Sequence, residues 1–528
     1  MMAPVVGSGA WPAWTASVPK RRSSGGVVIV VHSEGTVDRG GRCRRPGQRA
    51  SACRRRGPWG RLAAAMEPDT TLLMVGVSGV RGRVGEGLTP EVVAYFAAAF
   101  GAYLRERGGA RVVVGRDSRV SGPMVRHAAL AGLQSVGCEV IDVGLVPTPT
   151  VQVAVRTLGA AGGLALTASH NPVEWNALKF IGPEGIFLDP AEHEAFAALR
   201  RRGFARARWD ELGAVHPEPG AVTAHLERIL RLPFLDVEGL RRRAVRVVVD
   251  AVRGAGAVVL RPLLEALGCR FEILHEEPDG RFPRDPEPRR ENLGELGARV
   301  RAVGAEVGFA LDPDGDRLAL VDADGQPVGE DGTLALALPV VLRRQPGPVV
   351  VNLSTSQVVE AAATPFGVPV LRAPVGEVHV ARRMQQEGAP IGGEGNGGVI
   401  VPAAHYGRDA AVAAALILQR LLEEGRPLRA LVEALGRFVI LKDKAPRPAV
   451  PWAAVAERLR AEARAPEVDL QDGVRLAWPA ERRWVHLRPS NTEPIVRLIA
   501  EAPTEPAARA LLEQARAWMT AAAGAVAG

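Results

Sequence analysis

Short apolar runs recur along the chain, and each is followed by a polar loop and then by an amphipathic stretch. Residues 112–114 are all valine, residues 115–119 form a polar loop, and Ser121 is a typical helix start. Residues 139–143 and 163–166 begin further repeats of the pattern. Runs this short and apolar predict buried strands, and their alternation with helices predicts doubly wound α/β sheets.

Helix signals between these runs are clear in places. Thr89, Pro90 and Glu91 supply an N-cap, an early proline and an acid in the first turn. The apolar stripe of this predicted helix is formed by Val93, Phe96, Ala97, Phe100 and Leu104. Residues 191–235 are charged, and we predict helices there that lead to the next sheet.

Towards the carboxyl end the pattern changes. From about residue 438, short strands mix with helices, which predicts a smaller α+β unit. We expect its last helix to follow Thr504 and to end near Met519.

The basic character of the chain is confined to its beginning. The net charge is +8, yet residues 1–65 alone hold twelve Lys or Arg residues against Glu34 and Asp38. The remaining residues are therefore nearly neutral, and we expect no nucleic-acid partner for the folded body. We interpret residues 1–65 as a disordered basic leader. An incorrectly extended start, with Met66 as the true first residue, is our preferred explanation, and a targeting extension is the alternative.

The thiols and the apolar runs indicate a cytoplasmic protein without a membrane partner. Cys138 and Cys269 are scattered in the body and show no metal-binding spacing, which fits a reducing compartment. The apolar run of residues 334–342 is far shorter than a membrane span and contains Pro339.

Residues 167–172 place a serine and a histidine directly after a predicted buried strand. Chemistry in open α/β sheets is found at the carboxyl ends of strands, so Ser169 is a candidate nucleophile that His170 could orient or balance in charge. A polar turn with a local hydroxyl-to-backbone bond is the alternative.

Three carboxylates alternate in residues 312–317, between two hydrophobic runs. Asp312, Asp314 and Asp316 can face one way and converge on one ion. Ligands that are all oxygen indicate Mg²⁺ or another hard cation. An acidic turn is the alternative.

Further polar loops offer groups that could bind a phosphate or neighbouring hydroxyls. Arg81 lies in a glycine-spaced loop, and Lys179 lies on the strand after Ser169, although either could be an ordinary surface cation. Glu394 and Asn396, among glycines, could hold neighbouring hydroxyls, or the segment could be a simple hairpin. Residues 488–494 could bind a phosphate, with a helix capping box as the alternative.

Taken together, residues 167–172, 312–317, 393–398 and 488–494 resemble, in order, four loops of the α-D-phosphohexomutase superfamily. These are the family's phosphoserine, metal, sugar and phosphate loops, and the likeness covers about residues 72–528. The resemblance implies a four-domain phosphohexomutase architecture, with three doubly wound α/β domains followed by a smaller C-terminal α+β domain. It also implies an intramolecular phosphotransferase that works through a phosphoserine and a hexose bisphosphate.

The resemblance implies a role for each matching residue. Ser169 would carry the phosphoryl group, with His170, Lys179 and Arg81 as its catalytic neighbours. One Mg²⁺ would be held by Ser169, Asp312, Asp314 and Asp316. The expected substrate-binding residues are Arg317, Glu377, Glu394, Asn396, Arg488, Ser490, Asn491 and Thr492.

On this basis we divide the chain after the leader into four domains. Their predicted ranges and loops are residues 66–222 with the phosphoserine, 223–324 with the metal loop, 325–436 with the sugar loop and 437–528 with the phosphate loop. We expect a monomer or homodimer that binds a small phosphosugar.

The sugar loop also suggests a substrate. Its Asn396 and Gly398 stand where the usual bacterial pattern has Ser and His, and the form resembles the archaeal-type branch usually assigned as phosphoglucosamine mutase. We therefore expect interconversion of glucosamine 6-phosphate and glucosamine 1-phosphate. The enzymatic alternative is phosphomannomutase or phosphoglucomutase. A phosphosugar sensor without catalysis, or nucleic-acid binding through the leader, are alternatives of other classes.

Overall fold

The computed structural model describes residues 67–76, 79–490 and 494–527. The predicted disorder of residues 1–65 and the predicted roles of Asn491 and Thr492 lie outside these ranges. No helix in the described ranges is long and apolar enough to cross a membrane.

The first sheet has seven strands in the order β1-β2-β6-β5-β3-β4-β7. Strands β3, β4, β5 and β7 run parallel, whereas β1, β2 and β6 form antiparallel pairs at the other edge. The strands are β1 (Met74–Gly76), β2 (Gly79–Arg83), β3 (Arg111–Arg116), β4 (Glu139–Leu145), β5 (Gly162–Leu166), β6 (Trp175–Ile181) and β7 (Val215–Pro217). The helices are α1 (Pro90–Glu106), α2 (Gly122–Gln134), α3 (Thr148–Thr157), α4 (Pro190–Arg202) and α5 (Ala221–Leu230).

Helix α1 forms as the sequence predicts. The Thr89 side chain accepts a hydrogen bond from the Val92 amide at 3.4 Å, and Pro90 occupies the first turn. The predicted apolar stripe is fully buried against the first sheet. The prediction of helices throughout residues 191–235 is partly wrong, because β7 joins the parallel edge of the sheet by pairing with β4.

The second sheet has four strands in the order β11-β10-β8-β9, of which only β11 is antiparallel. Its elements are α6 (Val237–Arg243), β8 (Arg246–Asp250), α7 (Ala257–Ala266), β9 (Arg270–Leu274), α8 (Gly294–Val303), β10 (Val307–Leu311) and β11 (Leu318–Asp322).

The third sheet has five strands in the order β13-β12-β14-β15-β16. Strands β12, β13 and β14 are parallel, and β15 and β16 add antiparallel. Its elements are α9 (Gly332–Leu342), β12 (Val349–Asn352), α10 (Val358–Ala363), β13 (Val370–Ala373), α11 (Glu377–Glu387), β14 (Ile391–Glu394), β15 (Gly398–Val401), β16 (His405–Arg408), α12 (Ala410–Glu424) and α13 (Leu428–Ala434).

Helices α9 and α12 explain why an apolar run occurs in the middle of the chain. Every side chain from Thr333 to Leu342 is buried, because α9 packs against α12 and the strands β11 and β14. The second and third sheets therefore share one hydrophobic core. The run is a buried helix between two sheets.

The fourth sheet is antiparallel throughout, in the order β17-β21-β20-β19-β18. Its elements are β17 (Val439–Pro446), α14 (Trp452–Ala463), β18 (Glu467–Asp469), β19 (Val474–Trp478), β20 (Arg483–Pro489), β21 (Ile495–Ala502) and α15 (Glu505–Ala527). Helix α15 extends well beyond the predicted end at Met519, because its small apolar side chains continue to pack on this sheet. The predicted class, three doubly wound α/β units and a smaller α+β unit, is confirmed.

Candidate active site

Ser169 lies in a buried, strained turn after β5. Its φ is +49°, in the left-handed region that non-glycine residues rarely adopt. The Ser169 amide donates to the Thr167 hydroxyl at 2.9 Å, and the Ser169 hydroxyl donates to Oδ2 of Asp312 at 3.0 Å. Nδ1 of His170 lies 3.3 Å from the same hydroxyl. The chain thus brings the predicted nucleophile to the predicted metal loop, although they are far apart in sequence.

Arg119 holds this turn in place. Its fully buried guanidinium donates to the carbonyl oxygens of Ser169 at 2.6 Å and of Asn171 at 2.7 Å. Two further bonds reach the carbonyls of Pro172 and Trp175 at 2.7 and 2.9 Å. A buried cation with this many backbone acceptors fixes the conformation of a loop. In the sequence, Arg119 is one of several polar residues in the loop after β3. Its role in fixing the serine turn could therefore not be recognised from the sequence.

The metal loop connects β10 to β11, and its three aspartates are buried. Carboxylate oxygens of Asp312, Asp314 and Asp316 all lie within 4.8 Å of one another. Among the described residues, Oδ1 of Asp314 and Oδ1 of Asp316 are buried yet accept no hydrogen bond. Converging, unpartnered carboxylate oxygens are the ligands that a hard divalent cation requires, so the triad fits Mg²⁺.

The three carboxyl groups differ in their electrostatics. Burial, reinforced by the neighbouring Asp316 and Asp314, raises the pKa of Asp312 well above its usual range. Burial also opposes the ionisation of Asp314, but the Lys179 ammonium outweighs it and lowers the pKa of Asp314. Like charges this close are mutually unfavourable unless a cation compensates them.

Lys179 brings positive charge to the metal loop, and Arg81 brings it to the serine turn. Nζ of Lys179 donates to Oδ2 of Asp314 at 2.7 Å and lies 3.9 Å from Asp316. Nη1 of Arg81 donates to Oδ1 of Asn171 at 2.8 Å, and burial lowers the Arg81 pKa. Strand β6, which carries Lys179, pairs with both β2, which carries Arg81, and β5, which precedes the serine turn, so the two cations lie on strands of the same edge of the sheet.

His170 lies in this positive environment. The Arg317 guanidinium, together with burial and Arg81, lowers the pKa of His170 well below its usual range. The imidazole is therefore neutral near pH 7, which makes it a hydrogen-bonding group beside Ser169 and not a source of charge. Arg317 itself is anchored by Glu287, with Nη1 donating to Oε1 at 3.1 Å.

The sugar loop meets the metal loop through the backbone and through one arginine. The Leu318 amide donates to the Gly397 carbonyl at 3.0 Å. Arg408, at the end of β16, donates to Oδ2 of Asp316 at 2.6 Å and to Oε2 of Glu394 at 2.5 Å. Burial opposes the ionisation of Glu394, but Arg408, the Asn352 hydrogen bond and Arg317 together outweigh it and lower the pKa of Glu394, so this carboxylate is ionised.

Glu394, Asn396 and Glu377, which are predicted to bind the sugar, also form hydrogen bonds with other side chains of the protein. Oε1 of Glu394 accepts from Nδ2 of Asn352 at 2.8 Å, and Asn396 approaches Oε2 at 3.5 Å. Glu377, the first residue of α11, accepts from Nε of Arg408 at 3.0 Å and from Nε2 of Gln152 at 3.0 Å. Burial raises the pKa of Glu377 to about 7.

The fourth sheet contributes Arg488 and Ser490 at the end of β20. Nε of Arg488 lies 2.6 Å from Oδ2 of Asp472, which also accepts from the Val375 amide at 3.0 Å. Ser490 is buried, and its amide donates to the Ile495 carbonyl at 2.9 Å. The predicted phosphate loop therefore begins next to the loop that precedes Glu377.

Sequence reasoning missed the residues that hold the candidates in place. Arg119, Arg408, Gln152 and Asp472 all make their contacts across long stretches of chain. A possible signal for Arg408 was its position directly before Asp409, which caps α12. A charged residue at the end of a buried strand needs a partner, but the sequence does not say which one.

Comparison with known proteins finds four successive domains of one family. The alpha/beta/alpha domains I, II and III of phosphoglucomutase/phosphomannomutase match residues 73–204, 223–325 and 330–438, and the C-terminal domain of that family matches residues 439–517. The chain belongs to the phosphoglucomutase/phosphomannomutase family. It is thus a phosphohexomutase, an isomerase that transfers a phosphoryl group, and the resemblance seen in its four loops is confirmed.

Curated relatives share most of the sequence. A "Probable phosphoglucosamine mutase" of Methanopyrus kandleri is 39% identical over 83% of this chain and 96% of its own length. A "Phosphoglucomutase/phosphomannomutase" of Thermococcus kodakarensis is 40% identical over 83% of this chain and 97% of its own. A crystal structure of a phosphoglucomutase/phosphomannomutase family protein from Burkholderia thailandensis is 30% identical, with a TM-score of 0.73 over 85% of this chain and 98% of that one.

Proposed function

We propose that this phosphohexomutase interconverts glucosamine 6-phosphate and glucosamine 1-phosphate through a phosphoserine at Ser169. The observation that carries the proposal is the placement of the Ser169 hydroxyl 3.0 Å from Asp312, within a triad that fits a divalent cation. Phosphoryl transfer depends mainly on positioning and charge compensation, and this site offers both.

In the first transfer, a sugar hydroxyl oxygen attacks the phosphorus of the phosphoserine. An oxygen–phosphorus bond to the sugar forms, and the bond from phosphorus to Oγ of Ser169 breaks. The hydroxyl proton passes to the departing Ser169 oxygen, with Lys179 and Arg81 placed to assist the transfer and to balance charge. The product of this step is a hexose bisphosphate and a free serine.

In the second transfer, the bisphosphate turns over in the site, and Oγ of Ser169 attacks the phosphorus of its other phosphate. The bond from that phosphorus to the sugar oxygen breaks, and the Ser169 proton passes to the departing sugar oxygen. Asp312, Asp314 and Asp316 would hold a Mg²⁺, which would supply charge stabilisation to the phosphoryl oxygens. A phosphoserine carries roughly −1.5 to −2 charges at pH 7, which explains why cations surround a serine that is itself neutral.

The sugar and its second phosphate need their own binding groups. We propose that Glu377, Glu394 and Asn396 bind sugar hydroxyls and that Arg317 orients the sugar beside the metal loop. Arg488, Ser490, Asn491 and Thr492 hold the phosphate that does not react. Glu394 already accepts hydrogen bonds from Asn352 and Arg408, so its orientation is set before the sugar arrives.

The choice of glucosamine rests on the sugar loop and on the relatives. Relatives named as probable phosphoglucosamine mutases come from several archaea, among them Methanopyrus kandleri and Methanothermobacter thermautotrophicus. A second candidate is interconversion of mannose or glucose phosphates, because the equally similar Thermococcus kodakarensis relative has that name.

Comparison of kcat/KM for the three hexose 1-phosphates, each with its bisphosphate and Mg²⁺, tests the substrate. We expect glucosamine 1-phosphate to exceed mannose and glucose 1-phosphate by about tenfold or more, the range that pocket contacts provide. An equal or higher value for either neutral sugar would replace the proposal by the second candidate. Absence of turnover with all three would favour a phosphosugar-binding protein without catalysis.

A further inference from the structure

Arg408 lies at the centre of three buried carboxylates that come from three separate elements. Its guanidinium donates to Asp316 in the metal loop at 2.6 Å, to Glu377 at the start of α11 at 3.0 Å, and to Glu394 at the end of β14 at 2.5 Å. The side chain of Arg408 is almost fully buried. Each of the three nitrogens therefore bonds a different acid. Asp316 belongs to the aspartate triad, and Glu377 and Glu394 belong to the proposed sugar-binding residues.

The electrostatics make this arginine a permanent cation. Burial opposes its charge, but Asp316, Glu394 and Glu377 outweigh burial and raise the pKa of Arg408 well above its usual range. Removal of the guanidinium would leave Glu377 and Glu394 without their ion-pair partner, so it cannot leave without large cost. Its planar fork carries donors on three separate nitrogens, whereas the three donors of a lysine share one nitrogen and cannot span the same three carboxylates.

The backbone is built to make room for this side chain. A Cβ atom added at Gly398 would lie 2.2 Å from Cδ of Arg408. A Cβ atom at Gly407 would lie 2.1 Å from Oε1 of Gln152, which itself binds Glu377 through Nε2 at 3.0 Å. Two glycines thus open the space that the Arg408 stem and the Gln152 amide fill.

Asp316 connects this cluster to the metal loop. Its Oδ2 accepts the bond from Arg408, whereas its Oδ1 is buried and accepts no hydrogen bond within the described part of the chain. The two oxygens of this carboxylate therefore face different groups. Oδ2 faces the Arg408 guanidinium, whereas Oδ1 faces the ion-binding position, with Nε of Arg317 3.6 Å away. Whatever fixes Asp316 also fixes the guanidinium and, through it, both glutamates.

We propose that Arg408 is a positioning residue that couples divalent-cation binding at the aspartate triad to sugar binding by Glu377 and Glu394. The inference rests on the proposed function, because it assigns the sugar hydroxyls to those two glutamates. Coupling between two sites is reciprocal, so the cation tightens sugar binding by the same factor as the sugar tightens cation binding.

Isothermal titration calorimetry tests the coupling without turnover. Glucosamine 6-phosphate is titrated into the Ser169→Ala protein, once with Mg²⁺ and once with EDTA. We expect Mg²⁺ to tighten binding by about 5- to 100-fold, a typical allosteric factor, and this ratio to fall to about 2-fold or less in Ser169→Ala/Arg408→Lys. Mg²⁺ binding by itself, measured in a separate titration, is retained in the lysine variant.

Two further variants separate positioning from mere stability. Gly398→Ala keeps the charge of Arg408 but displaces its aliphatic stem. The tightening of sugar-phosphate binding by Mg²⁺ should therefore fall in this variant as well. Arg228→Lys is the matched control, because Nε of Arg228 bonds only a backbone carbonyl, that of Ala404 at 2.9 Å, and it should keep the full ratio. Thermal unfolding confirms that each variant is folded before titration.

The outcomes distinguish this inference from the proposed function. An unchanged Mg²⁺ ratio in folded Arg408→Lys and Gly398→Ala would overturn the coupling while leaving the mutase activity in place. Failure of the Ser169→Ala protein to bind any hexose phosphate, with or without Mg²⁺, would overturn both. Loss of the Mg²⁺-dependent tightening of sugar-phosphate binding in both variants, with the full effect kept in Arg228→Lys, would establish that Arg408 couples the two sites.

Discussion

At the scale of single residues, buried side chains stabilise the strained backbone of the serine turn. Ser169 has a positive φ, which is unfavourable for a residue with a Cβ atom, and the four carbonyl bonds of Arg119 compensate for it. Asp117 fixes Arg119 in turn, since its Oδ2 lies 3.1 Å from Nε and also accepts from the Thr167 hydroxyl at 2.6 Å. The Ser169 turn is therefore held by a buried network of Arg119, Asp117 and Thr167.

Replacing Arg119 by lysine should misplace Ser169 while keeping a cation. We expect kcat to fall by about 100-fold, because small errors in the position of reacting groups have effects of that size. Slower phosphorylation of Ser169 by a hexose bisphosphate, followed by intact-protein mass, would accompany the loss. Arg116→Lys is the control, as Arg116 bonds only the Asp117 carbonyl, at 2.9 Å. Equal rates in the two variants would contradict a role for Arg119 in orienting the serine.

At the scale of elements, one buried acid joins a strand and three helices. Asp409 caps α12 by accepting from the amides of Ala411 at 2.8 Å and Val412 at 3.1 Å. Its other oxygen binds His405 of β16 and His225 of α5, at 2.9 and 2.7 Å. Nδ1 of His225 in turn lies 2.8 Å from the Thr150 hydroxyl of α3.

This cluster is structural, although two histidines and an aspartate can bind a metal. Nδ1 of His405 accepts from the Gly407 amide at 3.0 Å, so Nε2 carries the proton and donates to Asp409. The ring nitrogens of His225 also have partners on both sides. The network connects the first sheet to the third beneath the active site, and it holds Arg408 next to its carboxylates.

Asp409→Asn should destabilise the fold by about 2 kcal/mol or more, from a weaker cap and the lost histidine pairing. Burial opposes the charge of Asp409, but His225 and His405 outweigh it and lower the pKa of Asp409. The stability that the ionised carboxylate contributes is thus present above the ordinary Asp pKa of 3.8 and declines as the pH falls below it.

Urea unfolding at several pH values measures this difference. The advantage of the natural protein over Asp409→Asn should be full at pH 7 and should shrink below about pH 4. Asp236→Asn is the control, because Asp236 caps the short helix α6 through the Gly239 amide at 2.8 Å and has no histidine partner. A loss no larger than that of the control would contradict the network.

At the scale of the whole molecule, the fourth sheet closes on the third through a few polar contacts. Asp472 accepts from the Val375 amide and pairs with Arg488, while the Ser354 hydroxyl lies 2.9 Å from Nδ1 of His486. The proposed turnover of a bisphosphate needs an element that closes over the site, and a sheet held by polar contacts such as these can also open.

Asp472→Ala should weaken the closed arrangement. We expect a larger radius of gyration in small-angle X-ray scattering and a KM raised by about tenfold, as for the loss of a charge-assisted contact. Asp469→Ala, in the same region, removes hydrogen bonds only to Gln471 and serves as the control. An unchanged radius and KM in Asp472→Ala would show that these contacts do not hold the fourth sheet closed.

The sequence predicts local patterns well and distant partners poorly. Features that depend only on neighbouring residues could be predicted. Examples are the strand at residues 112–114, the capped helix α1 and the spacing of Asp312, Asp314 and Asp316. Arg119 and Arg408 find their acceptors 50 and 92 residues away, at Ser169 and Asp316, and only the sheet order brings those together.

Edge strands and helix ends were also hard to predict, because they too depend on contacts with distant parts of the chain. Strand β7 is only three residues long and exists because the edge of β4 is available to it. The end of α15 depends on packing against the fourth sheet and not on a terminating residue. Tertiary contacts override local preference at such positions.

The central claim is that Ser169 carries the phosphoryl group, and intact-protein mass spectrometry tests it most directly. After incubation with a hexose 1,6-bisphosphate and Mg²⁺, the natural protein should gain the mass of one phosphoryl group, and fragmentation should place it on Ser169. The Ser169→Ala protein should gain none and should show no turnover while remaining folded. A phosphoryl group on another residue, or near-normal turnover by Ser169→Ala, would contradict the account.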